Sequence, residues 1–292
     1  MKRRALLAAL PCAAAVLPAV GPAPAFAQPA PRVVTVGGAL TEIVYLLGAQ
    51  AQLAGTDTTS VHPEAALHTP KVGYQRQLSA EGLLSLRPDV VVSTDEAGPP
   101  VALAQLRSAG VRLALLHSSH DIDDLRRKIL AVGRATGRLA QAEALQRQVD
   151  AQWQSAQAAV RAALQQRGGS RPKVLFVLAH GGSPQVSGHG TAAHAMIELA
   201  GGANALQGFQ GYRPMTAEAV VAAAPELVLT TRQAIEAAGG ADRFWEQPGL
   251  PLTPAGRRRA LYAPDALALL GFGPRLPAAV ADLAAVLAGL RG

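Results

Sequence analysis

One fifteen-residue unit occurs twice in this chain and limits the fold more than any other feature. Residues 78–92, L-S-A-E-G-L-L-S-L-R-P-D-V-V-V, return 137 positions later as 215–229, M-T-A-E-A-V-V-A-A-A-P-E-L-V-L. Ala80, Glu81, Pro88 and Val91 recur unchanged as Ala217, Glu218, Pro225 and Val228. In each copy Ser79 or Thr216 stands where a helix N-cap belongs, a glutamate falls in the first turn where the helix dipole favours a carboxylate, and an apolar face follows. Proline then stops the helix, and a short apolar run, 90–92 or 227–229, has the pattern of a buried parallel strand. A solenoid would repeat about every 20–50 residues. Two copies this far apart predict two similar α/β lobes instead.

Residues 32–36 read as a first strand, and Gly37-Gly38 opens a helix with Leu40, Ile43, Val44 and Leu47 on one face, closing at Gly48. No G-x-G-x-x-G and no Walker lysine accompany this turn, so nucleotide binding is rejected here. Helices at 100–109 and 122–136 flank a strand at 111–116, and such alternation indicates a mostly parallel sheet. From 139 to 167 the chain has no Gly or Pro, with Leu145, Val149, Trp153, Ala156, Val160 and Leu164 at near-helical spacing. That helix would be about 43 Å long, enough to pass from one lobe to the other. Its stripe is too rich in alanine and too short for the sustained heptads of a coiled coil. A strand at 174–178, a helix capped by Thr191 and closing at Gly201-Gly202, a strand ending at Thr230-Thr231-Arg232, and a last helix at 276–290 complete the second lobe.

Residues 1–27 combine a basic start (Lys2, Arg3, Arg4), an apolar run and Ala25-Phe26-Ala27, the pattern of a secretory signal cleaved after Ala27. Without it the 27 basic residues fall to 24 against 20 acidic ones, a net charge of +4 rather than +7. Much of the basicity is therefore targeting signal, and nucleic-acid binding loses its support. The one cysteine, Cys12, lies in the signal, so the mature chain has neither disulfide nor thiolate chemistry. About 265 residues remain, enough for two domains that each hold their own core. The expected organisation is a signal at 1–27, an N-terminal α/β lobe at 28–137, a bridging helix at 138–169 and a C-terminal α/β lobe at 170–292.

An exported pair of α/β lobes joined by one long helix resembles the substrate-binding components of ABC importers. The segments G-Y-Q-R-Q-L-S-A-E-G from Gly73, T-A-A-H-A-M-I-E-L-A-G-G-A-N-A from Thr191, G-Y-R-P-M-T-A-E-A from Gly211, L-T-P-A-G-R-R-R and L-L-G-F-G-P-R carry a closer resemblance. It is to the periplasmic haem-binding proteins of bacterial haemin importers, over nearly the whole mature chain. The resemblance implies a monomeric binding protein, not an enzyme, that takes ferric haem (haem b) between its lobes and hands it to an inner-membrane permease and ATPase.

The family's axial iron ligand falls on Tyr74. A phenolate is a hard donor suited to ferric iron, and it needs nearby positive charge to ionise at neutral pH; Arg76, two residues on, is placed either to supply that charge or to reach a propionate. The resemblance also implies an arginine that bonds the tyrosinate, assigned to Arg232 at the cleft edge. His180, at the carboxyl end of a strand where open α/β sheets hold ligands, is a candidate haem contact. Glu81 and Glu218 match the one acidic residue per lobe that docks on the permease. They also serve the helix dipole, worth about 0.3–1 kcal/mol each.

His62, His68, His117, His120, His189 and His194 read as loop or surface residues, the last two being five apart and therefore not on one helix face. Arg257, Arg258 and Arg259 have the usual meaning of a solvated run, with propionates or the permease as other partners. Residues 264–267 lack the tyrosine that related proteins carry before L-L-G-F-G-P-R. A ferric siderophore or cobalamin in the same fold is the alternative ligand. An exported metal-dependent hydrolase built on the histidines is a distant one, since neither ligand spacing nor a G-x-S-x-G elbow is present.

Overall fold

The computed structural model describes residues 30–178 and 183–290, and from Pro31 onward these form one compact unit. The proposed signal at 1–27 and His180 lie outside the described residues. Chain order in the first lobe is β1 (Val33–Val36), α1 (Gly38–Leu46), β2 (Leu53–Thr56), α2 (Ala80–Ser85), β3 (Val90–Thr94), α3 (Pro100–Ser108), β4 (Arg112–Leu116) and α4 (Ile122–Thr136). The long helix α5 (Leu139–Gln166) bridges to the second lobe. There follow β5 (Lys173–Leu178), β6 (Gln185–Ser187), α6 (Ala192–Leu199), β7 (Ala203–Asn204), β8 (Tyr212–Pro214), α7 (Ala217–Ala223) and β9 (Leu227–Leu229). The chain ends through α8 (Arg232–Ala237), α9 (Ala241–Trp245), α10 (Pro254–Arg258), β10 (Leu261–Tyr262), α11 (Ala266–Leu270) and α12 (Leu276–Ala288).

The first sheet is wholly parallel in the order β2-β1-β3-β4, and its central strands β1 and β3 are buried along their whole length. Helices on both faces explain why those strands are apolar runs rather than alternating ones. The second sheet, in the order β10-β9-β5-β6-β8 with β7 beside β5, is mixed, because β6 runs antiparallel to both β5 and β8.

Both copies of the repeated unit fold alike. Ser79 Oγ accepts from the Gly82 amide and Thr216 Oγ1 from the Ala219 amide, so each hydroxyl caps its helix. Each helix then leaves through a left-handed residue immediately before the proline, Arg87 at φ 47° and Ala224 at φ 46°. The following strands take matching places, β3 beside β1 and β9 beside β5.

The core departs from the expectation of one per lobe. Val33, Leu40 and Val92 of the first lobe, Val149 and Trp153 of α5, and Phe176, Met196 and Leu283 of the second belong to one continuous buried cluster. The shared core arises because α4 and α12 pack on either end of α5, whose apolar stripe faces both lobes at once. Smaller cores cover the outer face of each sheet. Gly133 is what lets α4 approach α5 closely: a Cβ there would lie 2.4 Å from the Ala142 Cβ.

Polar ties reinforce the junction. Lys128 Nζ on α4 lies 2.9 Å from the buried Asp124 carboxylate and 3.3 Å from the carbonyls of Gly271 and Phe272 in the second lobe. Arg275 reaches Glu42 of α1 at 3.1 and 3.2 Å and Asp265 at 3.3 Å. The L-L-G-F-G-P-R segment thus belongs to the joint between lobes.

Candidate ligand cleft

Parallel strands deliver the residues that follow them to one edge of the sheet, where ligands of open α/β folds sit. Here Gly37 and Gly38 follow β1, Glu96 follows β3, and Ser118 and His120 follow β4, and all five line a cleft of about 720 Å³ between the lobes. That volume lies within the range of about 300–1,000 Å³ usual for small-molecule sites. Gly38 is needed for the fit: a Cβ would lie 2.5 Å from the Thr59 carbonyl and 2.7 Å from Leu267 of the other lobe.

Tyr74 lines this cleft and remains 41% exposed. Its segment is pinned on both sides, by Thr58 N–H to the Gly73 carbonyl at 2.9 Å and Gly98 N–H to the Gln75 carbonyl at 2.9 Å. Arg76 also lines the cleft, but its guanidinium is turned to Glu96 Oε2 at 3.2 Å. The other Glu96 oxygen lies 3.3 Å from His120 Nε2. His120 lowers the Glu96 carboxyl most, burial opposes it, Arg76 adds to it, and the result is about 2. The cleft therefore contains a carboxylate that stays ionised at neutral pH, set between the Arg76 guanidinium and the His120 imidazole.

From the second lobe Tyr212 faces the same space, with Leu267 and Gln233. Burial pushes the Tyr212 phenol above its ordinary value, while Arg76 and a hydrogen bond to Thr191 act in the opposite sense.

Arg232 does not close β9. Thr231 Oγ1 accepts from the Ala234 amide and caps α8, so Arg232 is the first residue of that helix, exposed and 3.6 Å from Asp265. Its neighbour Gln233 is the α8 residue that lines the cleft. Asp265 caps α11 and its carboxyl sits below the ordinary value: burial works against this, but the Ala268 amide, Gln233 and Arg275 outweigh it. Glu81 and Glu218 are exposed in the first turns of α2 and α7, with no ion-pair partner among the described residues.

Three histidines are less superficial than expected. His120 is only 17% exposed, and His189 and His194 are half-buried, their rings edge-to-face with Nδ1 and Nε2 3.3 Å apart. Helical spacing misjudged this pair, because His189 precedes α6 and only His194 lies on it. Burial, with His189 beside it, holds His194 below its ordinary pKa. Arg257 donates to the Leu252 carbonyl at 2.7 Å and Arg259 pairs with Asp242, so the basic run is partly tied down.

The family described as periplasmic binding protein matches residues 33–266. The chain belongs to that family. Among solved structures it is similar to the periplasmic haem-binding protein BhuT in complex with two haems, 48% identical with a TM-score of 0.82, covering 88% of this chain and 98% of that one. It is also similar to the periplasmic haem-binding protein RhuT from Roseiflexus sp. RS-1 in apo form, 40% identical with a TM-score of 0.82 and the same coverage. A cobalamin-binding protein of Halobacterium salinarum is 28% identical over 204 residues, 68% of this chain. The chain spans about half that relative's length, 53%. Family membership accounts for the two-lobe fold and the bridging helix, and indicates a place outside the cytoplasm.

Proposed function

We propose that this family member is a periplasmic carrier, monomeric and without a catalytic step, that binds ferric haem in the inter-lobe cleft and delivers it to an inner-membrane ABC importer. The observation that carries the reading is a half-exposed Tyr74 phenol in the cleft lining, beside Arg76, in a chain 48% identical over most of its length to a haem-binding protein. Tyr74 is the axial ligand to iron in this reading. Arg76 and Arg232 bind haem by leaving their present partners, Glu96 and Asp265, and His180 contacts it from the second lobe. Glu81 and Glu218 dock one on each half of the permease, and export removes residues 1–27.

Cobalamin is the second reading, supported by the Halobacterium relative. Absorption titration of the mature protein with haemin and with cyanocobalamin decides between them. Saturable haem spectra with a phenolate-to-iron charge-transfer band, lost in Tyr74→Phe, are expected. Saturation by cyanocobalamin alone would overturn haem, and a band unchanged in the variant would remove Tyr74 as ligand.

A further inference from the structure

His120 sits where the lobes meet and is held from several directions. Its backbone is left-handed at φ 52°, a conformation that costs free energy and persists where surroundings enforce it. Its Nε2 is 3.3 Å from Glu96 Oε1, and its ring meets Phe272 of the second lobe edge-on with centroids 5.2 Å apart. Phe272 is itself fully buried, at φ 47°, with its carbonyl held by Lys128. A histidine on a solvated loop needs none of these restraints.

A half-buried carboxylate is an unfavourable wall for a cleft that takes an anionic ligand. Glu96 makes sense there as a holder of His120, which keeps one of its oxygens while Arg76 turns from the other to the ligand. With Nε2 turned to Glu96, the ring's remaining nitrogen, Nδ1, has no hydrogen-bond partner among the described residues. Both ring nitrogens donate in the imidazolium form.

We propose that His120 is a ligand-recognition residue: Glu96 fixes its ring so that Nδ1–H donates to a carboxylate of the bound tetrapyrrole, next to Arg76. Glu96 is then a positioning residue. This deepens the haem reading and rests on it.

The test compares haemin with its dimethyl ester, which keeps iron and ring but has no free carboxylate, against the wild type, His120→Gln and Glu96→Gln. His120→Gln is expected to weaken haemin about tenfold, the scale of one charge-assisted hydrogen bond, and to leave the ester unchanged. Glu96→Gln shifts the haemin-to-ester ratio the same way, and carries the test alone if His120→Gln does not fold. A ratio unchanged in both variants, or equal losses for both ligands, overturns the assignment while haem binding stands. A wild type that binds neither porphyrin overturns it together with the haem reading.

Discussion

Replacing Lys128 by Met should destabilise the protein by about 3 kcal/mol. The Lys128 side chain is 5% exposed and that of Asp124 0%, with 2.9 Å between the charges. Removing one partner of a buried pair costs about 3–5 kcal/mol, because the other is left as an uncompensated charge. Asp124 retains Arg127 at 4.0 Å and a place in the first turn of α4, which puts the cost at the lower end. About 3 kcal/mol is roughly a 150-fold change in the ratio of folded to unfolded protein. Urea denaturation followed by tryptophan fluorescence and by far-ultraviolet circular dichroism measures it. Trp153 reports the shared core and Trp245 the outer core of the second lobe. Because the main core is shared, both probes should give one transition. Adding Asp124→Asn to Lys128→Met removes the stranded charge and should recover at least half the loss. A single variant costing under about 1 kcal/mol, or a double variant no more stable than the single, would refute the argument.

The Glu96 carboxyl is depressed from 4.5 to about 2 on folding, so its contribution is present above pH 4.5 and lost as pH falls through 2. Wild type should therefore lose more stability than Glu96→Gln over that window, and a constant difference between their denaturation midpoints would contradict it. Gly133→Ala brings a Cβ to 2.4 Å from Ala142; despite a gain in helix propensity of about 1 kcal/mol, a net loss of about 1–3 kcal/mol is expected in the same assay. Glu81→Ala and Glu218→Ala should leave melting and haemin affinity almost unchanged but reduce uptake into vesicles carrying the importer; unchanged uptake would remove the docking role.

The elements legible in the sequence were those with both a start and a stop signal. Ser79 and Pro88, or Thr216 and Pro225, bracket their helices with side-chain chemistry that acts locally. By contrast β2, β6, β7, β8 and β10 are two to four residues long, with Gly, Ser or Gln among them, and exist only because a neighbouring strand offers hydrogen bonds. Arg232 begins a helix rather than ending a strand because the Thr231 hydroxyl is a cap, a role that a β-branched residue after an apolar run conceals in the sequence. In the cleft, Tyr74 and Arg76 share one segment and were visible together. Glu96 and His120 are 20 and 44 residues beyond Arg76 and meet it only through the parallel order β3-β4. The rule that drew attention to His180, that ligand groups follow strands, applied equally to both. Tyr212 had no such signal, since β8 is set by its pairing with β6.

How far the cleft can open follows from the same packing. A wide hinge would have to part α4 and α12 from α5 and expose the core they share, at about 2.5 kcal/mol for every 100 Å² of apolar surface. It would also pull Lys128 from the carbonyls of Gly271 and Phe272, and Arg275 from Glu42, a carboxyl whose pKa burial has already raised. Ligand entry is thus confined to a small rocking of the lobes about α5, with side chains such as Arg76 and Tyr74, both exposed, making the larger movements. A cleft built this way presents groups fixed at the joint, and His120, set between Glu96 and the buried Phe272, is one of them.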